Sequence, residues 1–415
     1  MPRSSLTNKR ARLREEFHRR RIALIATIIS FVAGFAAPAM AFMDSSAEHA
    51  MLMDGDTGQV LWPKDAYKPM PPASMSKLMT IEILFHELKD GRVKLTDTFP
   101  VSAEAWKTGG SSGFTRVGDK LTVDDLIQRI IVVSGNDACI VVAEGLGGTV
   151  DNFVKMMNAR AKEIGLAQSH FVNPNGLPEP PGQLMSALDL AKLARHIIKD
   201  YPQYYHYFGV RSYTTYDQGK AITQPNRNTV LEKLEGADGL KTGYTDAAGY
   251  SITASAVRNG QRLILVLGGL RYPDLDKDSP VKRDWIAEQR RGDEAARVLA
   301  MAFREFRQYK LFKPGQTVGT AQVWQGASDT VPLTVAQPLA VTMQVDSRNR
   351  MKVTLHYDGP VRAPIAKGQQ IGTLKITAPD FPGMEVPVYA AEDVRSAGVF
   401  ARVMDGLHAL VVGTQ

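Results

Sequence analysis

One cysteine, Cys139, stands in 415 residues, so no disulfide can form within the chain, and packing and hydrogen bonds must hold the fold. Cys139 lies in the apolar run Asp137-Ala-Cys-Ile-Val-Val-Ala143 and reads as a buried small hydrophobe rather than a nucleophile. A metal-ligand pattern is missing too. His86-Glu87 opens a His-Glu-x-x-His motif, but Asp90 stands where the second histidine belongs, and none of the eight histidines makes a ligand pair. This argues against a zinc peptidase, and no motif asks for a metal or a cofactor. A basic surface is the third absence. The formal charge is +7, yet residues 1–21 hold eight Arg or Lys against Glu15 and Glu16 and supply +6 of it. The remainder is close to neutral, which leaves no footprint for nucleic acid. At 44% hydrophobic and 22% charged, without repeats, the chain is globular, and its length implies two to three folded units.

The basic terminus has its own reading. Arg19-Arg20-Arg21 precede an uncharged run from Ile22 to Ala37, and Ala39-Met40-Ala41 follows. This is the layout of an export signal over residues 1–41, cleaved after Ala41. The alternative is an uncleaved membrane anchor, since residues 22–41 nearly suffice to cross a bilayer. Both readings put the body outside the cytoplasm.

Beyond the signal, the pattern predicts strands at 49–54 and 59–62 around the turn Gly55-Asp-Thr-Gly58, then a helix over 74–88 with apolar residues at three- and four-residue spacing. Helices are expected at 123–133, 136–146, 150–164 and 187–199, and strands at 250–257 and 262–270 flank Asn259-Gly260. A last helix over 292–306 closes a domain spanning 42–309. Short alternating strands at 317–325, 339–345, 351–357, 369–376 and 384–390 then define an all-β domain, 310–391. Residues 392–415 read as an amphipathic helix, with Val399, Phe400, Val403, Met404, Leu407, Leu410 and Val411 opposite Arg395, Arg402, Asp405 and His408. Such a helix lies flat in a membrane interface or packs on its own domain.

Three short motifs carry the chemistry: Ser74-Met-Ser-Lys77, Ser134-Gly-Asn136 and Lys241-Thr-Gly243. Each is common by chance, and decoys exist at Ser279-Pro-Val-Lys282, Ser347-Arg-Asn349 and Lys107-Thr-Gly109. Context separates them. Ser74 opens an amphipathic helix, so Lys77 sits one turn on along the same face, within reach of the serine hydroxyl. To take a proton the amine must be neutral, which burial or a second cation such as Lys241 arranges. Ser279 instead follows Asp274, Asp276 and Asp278, which would keep Lys282 protonated. Lys241-Thr-Gly leads into a strand. Its glycine lets a substrate backbone lie alongside, while Lys241 and Thr242 offer a cation and a hydroxyl to a carboxylate. Gly109-Gly-Ser-Ser-Gly113 matches a nucleophile elbow, but Phe114-Thr-Arg-Val-Gly-Asp119 does not continue as a helix, so it reads as a loop.

These three motifs together, with Asp54-Gly-Asp-Thr-Gly58, Pro72-Ala-Ser-Met-Ser-Lys77, Ser134-Gly-Asn-Asp-Ala138, Asn173-Pro-Asn-Gly-Leu177 and Asp238-Gly-Leu-Lys-Thr-Gly243, resemble the D-alanyl-D-alanine carboxypeptidases, the low-molecular-mass penicillin-binding proteins. The resemblance covers nearly all of the chain past the signal. It implies an α/β (α+β) penicillin-binding/β-lactamase-like domain with an antiparallel sheet and helical cluster, then a small all-β domain and an amphipathic helix. It implies that Ser74 attacks the bond between two terminal D-alanines of a peptidoglycan stem peptide, that Lys77 takes its proton, and that Ser134 with Lys241 protonates the leaving amine. Asn136 would hold the substrate amide, the N–H groups of Ser74 and Tyr244 would form the oxyanion hole, and Thr242 and Arg271 would hold the terminal carboxylate. It also implies covalent binding of β-lactams and a periplasmic protein peripherally attached to the outer face of the cytoplasmic membrane. A D,D-endopeptidase or transpeptidase of the same fold, or a catalytically weak wall-binding paralogue, remains the alternative. The chain departs from the family at Asn175 and Tyr244, where many members carry His, in the loop 109–116, and in an apparent insertion over 271–289. It lacks the Glu-x-x-Leu-Asn stretch with which class A β-lactamases hydrolyse their acyl-enzyme, so slow release of bound penicillin is expected.

Overall fold

The computed structural model describes residues 43–217 and 220–398. The expected export signal, 1–41, and residues 399–415 of the expected terminal helix lie outside that range. The first strands, β1 (His49–Asp54) and β2 (Val60–Lys64), form the predicted hairpin. Asp54 accepts from the Asp56 and Thr57 N–H groups and so closes the turn, the usual work of an aspartate at such a position. With β3 (Ala237–Thr245), β4 (Gly249–Arg258) and β5 (Gln261–Leu270) they make a five-stranded antiparallel sheet in the order β2-β1-β5-β4-β3.

Strand periodicity sends alternate side chains to opposite faces, and here both faces are covered. Leu263, Leu265 and Leu267 join Ala50, Leu52, Ile252, Ala254 and Ala256 in one core, while Ile264 and Val266 join Met51 and Met53 in the other. The second core belongs to a helical cluster: α1 (Lys77–Lys89), α2 (Val123–Ile131), α3 (Asn136–Gly147), α4 (Val150–Glu163) and α5 (Ala187–Asp200). Thr122, Thr149 and Ser186 cap α2, α4 and α5 by accepting from first-turn N–H groups. α1 is central and buried from Lys77 to Phe85, including Glu82, whose Oε1 is met by Arg160, His196 and Tyr201. Strand β4 carries Ser251, Thr253 and Ser255 on this side, and Thr253 Oγ1 lies 3.4 Å from the Met75 sulfur.

The first core is closed by α6, which runs over Pro280–Glu305 and presses Ala295, Val298, Leu299 and Ala302 on the sheet. The helix expected from 292 thus begins twelve residues earlier. Pro280 occupies the first turn, where its missing N–H costs nothing, and the polar run after it hides the apolar stripe. Gly292 is interior rather than a boundary. A Cβ there would stand 2.0 Å from Thr229 Oγ1, so this glycine lets α6 approach the 229 loop. The presumed insertion over 271–289 is the approach to α6 and its opening turns.

The β-rich part starts at β6 (Phe306–Phe312), four residues before the expected boundary, because this strand pairs with β9 (Leu339–Gln344). β7 (Thr317–Trp324), β8 (Thr330–Thr334), β10 (Lys352–Tyr357), β11 (Val361–Arg362), β12 (Gln370–Ala378) and β13 (Phe381–Ala390) form a six-stranded sheet in the order β10-β12-β13-β8-β7-β11. Residues 392–398 do not open a helix. Val394 bridges Ile365 and Ser396 bridges Gly326 in extended backbone, with Val394 buried in the β core.

Candidate active site

Ser74 sits in a 3₁₀ turn, Ala73–Ser76, which leads into α1 at Lys77. In a 3₁₀ turn residues three apart eclipse one another, and Lys77 Nζ lies 2.6 Å from Ser74 Oγ. Lys77 is fully buried. It donates to Asn136 Oδ1 at 2.7 Å and to the Asn175 carbonyl at 2.6 Å. Neither oxygen can donate in return, so they take two N–H bonds of the amine, and its remaining position faces the serine. Burial pushes the Lys77 amine down from 10.5 to about 8, against the opposing pull of Asp137.

Ser134 ends the link between α2 and α3 with φ of +62°, a left-handed backbone that a serine holds only under constraint. Its Oγ accepts from Lys241 Nζ at 3.0 Å, and the same amine donates to the Thr242 carbonyl at 3.0 Å. Lys241 is buried and its amine lies well below the usual lysine value, through desolvation first and then the neighbouring cations Lys77, Arg291 and Arg227. Lys77 thus adds to the burial that keeps Lys241 from charging.

Strand β3 brings Lys241, Thr242 and Gly243 to this point as the outer strand of the sheet. Its free edge is open to a pairing partner. A Cβ on Gly243 would meet Pro72 O at 2.9 Å and Ser74 N at 3.2 Å, so only glycine lets β3 lie this close to the serine turn. Ser74, Lys77, Ser134, Asn136, Lys241, Thr242 and Gly243 therefore surround one cleft. Asn136 is engaged at both ends of its amide: Oδ1 accepts from Lys77 and Nδ2 donates to Gly109 O at 2.7 Å.

One expected residue is placed differently. Arg271 is half exposed, and its guanidinium is committed to Glu48 and to the carbonyls of Asp246 and Ala247. It points at the 246–247 turn because Leu270 ends β5 and the chain turns away. The Tyr244 ring stacks on Tyr250 and its hydroxyl donates to Asp246, which leaves the expectation for its backbone N–H untouched. The cation near the Lys-Thr-Gly strand is instead Arg291 on α6. Only 2% exposed, it donates to the Gly243 and Arg227 carbonyls and forms no ion pair among the described residues. Sequence reading missed it because α6 was cut short at Gly292.

The Asn175 position also changes meaning. Its contact with Lys77 is made by the backbone carbonyl, so a departure in side chain leaves the contact intact. Gly176 at φ of +82° packs directly on Ala73. In the loop 109–116, Asp137 accepts from Ser112, Gly113 and Thr115, which fixes a loop and no nucleophile elbow. The decoy Ser279 is the N-cap position of α6, and Lys282 pairs with Asp278 at 2.6 Å. Cys139 is buried, gives its S–H to Gly135 O, and its thiol is pushed up to about 12 by burial.

A family model described as D-alanyl-D-alanine carboxypeptidase matches residues 35–270. A second, described as the C-terminal domain of penicillin-binding protein 5, matches residues 306–396. Relatives include D-alanyl-D-alanine carboxypeptidase DacF of Bacillus subtilis, 34% identical over 85% of this chain and 87% of that protein, and DacD of Escherichia coli, 33% identical over 94% and 99%. Among solved structures, penicillin-binding protein 5 from Haemophilus influenzae superposes with a TM-score of 0.74 at 30% identity, over 85% of this chain and 98% of that one. Penicillin-binding protein D2 from Listeria monocytogenes, in its ampicillin-bound form, gives 0.53 at 26% identity over 63% and 98%.

Proposed function

The chain belongs to the D-alanyl-D-alanine carboxypeptidase family, and from that premise we propose that it removes the terminal D-alanine from peptidoglycan pentapeptides through an acyl-enzyme on Ser74, limiting cross-linking of the wall. The observation that carries the assignment of Ser74 is the Lys77 amine, buried, turned down to about 8 and held 2.6 Å from the Ser74 hydroxyl. Ser74 Oγ attacks the carbonyl between the two D-alanines and passes its proton to Lys77 Nζ. The backbone N–H groups of Ser74 and Tyr244 hold the developing oxyanion. As the C–N bond breaks, Ser134 passes its hydroxyl proton to the departing D-alanine amine and is restored through Lys241 by the proton that Lys77 took from Ser74, which leaves Lys77 neutral. Water then attacks the ester with Lys77 again as base, freeing the shortened peptide and the serine.

Thr242 offers its hydroxyl to the terminal carboxylate, and Arg291, backed by Arg227, supplies the positive field in place of Arg271. Asn136 would exchange its bond to Gly109 O for one to the substrate amide. The same machinery opens a β-lactam ring and is left as a stable ester. Residues 1–41 supply export to the periplasm, and residues 399–415 the attachment to the outer face of the cytoplasmic membrane. Among the described residues no helix is long and apolar enough to cross a membrane. The domain limits that go with this reading are a peptidase part from 42 to about 305, a β part from 306 to 398, and the terminal segment.

Mass spectrometry after incubation with penicillin tests the central claim. A stoichiometric adduct on a Ser74 peptide, lost in Ser74→Ala, and release of one D-alanine from a pentapeptide are the expected results. Folded protein without an adduct would leave only a wall-binding scaffold.

A further inference from the structure

Where α6 passes into β6, a cavity of about 310 Å³ lies between the tip of the β4–β5 hairpin and the start of the β-rich part. Arg258, Arg304, Arg307 and Lys310 line it, and no carboxylate does. None of the four makes an ion pair among the described residues. Arg258 is held in place by the Glu235 carbonyl and by the Phe303 ring, 5.5 Å beneath its guanidinium. Gln261 completes the lining. It is 7% exposed, and its Nε2 has no acceptor.

This grouping is not a by-product of a basic protein. The chain's +7 less the +6 of residues 1–21 leaves +1 for everything else, so four unpaired cations around one hollow stand out from a balanced background. Like charges so gathered repel one another, and a buried amide N–H without an acceptor is unfavourable. An oxyanion relieves both. Three guanidinia, an ammonium and an amide offer more donors than the two oxygens of a carboxylate can accept, and they suit the three or four oxygens of a phosphate. A neighbouring cleft of about 840 Å³ shares Gly260, Gln308 and Lys310 with the cavity and adds Lys313, so the rest of a larger ligand has room to continue.

We propose that this seam is a phosphate-binding site, separate from the Ser74 cleft, which takes a phosphate group on Arg258, Arg304, Arg307, Lys310 and Gln261 and lets its substituent run into the adjoining cleft. Two sources could present that chemistry: a soluble phosphate chain or the headgroup of an anionic phospholipid.

The test uses the full chain. Tripolyphosphate is titrated calorimetrically, and co-sedimentation is measured with vesicles of phosphatidylglycerol and phosphatidylcholine or of phosphatidylcholine alone. Arg304→Glu with Arg307→Glu is compared with Lys352→Glu with Lys367→Glu, exposed lysines elsewhere that give the same change in net charge and leave the basic terminus as a common background. The first pair should weaken binding at least about tenfold and the second less than about twofold. Gln261→Leu, which changes no charge, should weaken it severalfold and serves as the second readout if the double variant does not fold. Penicillin acylation should stay unchanged throughout. Binding of tripolyphosphate alone identifies a soluble source, and binding to anionic vesicles alone a lipid one. No binding to either, or equal loss in both charge-reversed pairs, overturns the site.

Discussion

An ammonium at Lys77 is poorly solvated, since burial strips its water and offers two carbonyl oxygens and a hydroxyl instead. With the amine at about 8, about a tenth of the molecules are neutral at pH 7, roughly 300-fold more than at the ordinary lysine value. That fraction is what a general base needs. Because the folded amine loses its proton as pH rises through about 8, the second-order rate of penicillin acylation should climb about tenfold per unit below pH 8 and level off above it. A flat profile from pH 6 to 9 would remove Lys77 from the role. Lys77→Arg, which cannot deprotonate, should depress acylation by about a thousandfold or more. At the carboxylate end, the geometry separates two arginines. Arg291→Gln should lower kcat/KM for a D-alanyl-D-alanine peptide by about tenfold or more, and Arg271→Gln by less than about threefold. Paired steady-state assays with melting curves decide it. Equal losses would return Arg271 to the site.

The three-residue step from Ser74 to Lys77 was legible in sequence because it depends only on backbone local to those residues, and the same holds for the β1–β2 hairpin around Gly55-Asp-Thr-Gly58. What escaped reading depends on contacts between elements. The start of α6 was hidden because its first turns are polar and Gly292 resembles a terminus, although that glycine answers to Thr229, sixty-three positions earlier. Arg291 was lost with it. Asn175 was read by its side chain, while the structure uses its carbonyl, which no sequence pattern distinguishes. Gly243 shows the tightest of these contacts. A Cβ 2.9 Å from Pro72 O forces backbone against backbone, so Gly243→Ala must move β3 from the serine turn. A displacement of this kind misaligns Lys241 and Thr242, and acylation should fall by about a hundredfold. Stability should suffer less, because the strand keeps its pairing to β4. Stopped-flow acylation and calorimetry on the same sample check both halves, and a melting point lowered with the rate intact would make the contact structural only.

On the scale of the molecule, the motif at the head of the peptidase part is also the grip on the β part. Asp54, fully buried, closes its own turn and receives Thr342 Oγ1 at 2.7 Å and Gln308 Nε2 at 3.3 Å from β9 and β6. Gln59 Oε1 accepts from the Thr342 N–H beside it. A carboxylate removed from water is tolerable only when several donors surround it, so the first hairpin and the β part stabilise each other through this one group. Sequence reading recognised Asp54-Gly-Asp-Thr-Gly58 as a family motif and gave it no partner, because the partners lie more than 250 positions away. Thr342→Val keeps the shape and removes one donor, which at a buried charge should cost about 1.5–3 kcal/mol. That loss falls on the junction and not on the cleft. Limited proteolysis should therefore cut the variant faster around 313–316, between β6 and β7, while penicillin acylation stays within about twofold of the parent. If acylation fell together with resistance to protease, the β part would be supporting the serine turn as well as following it.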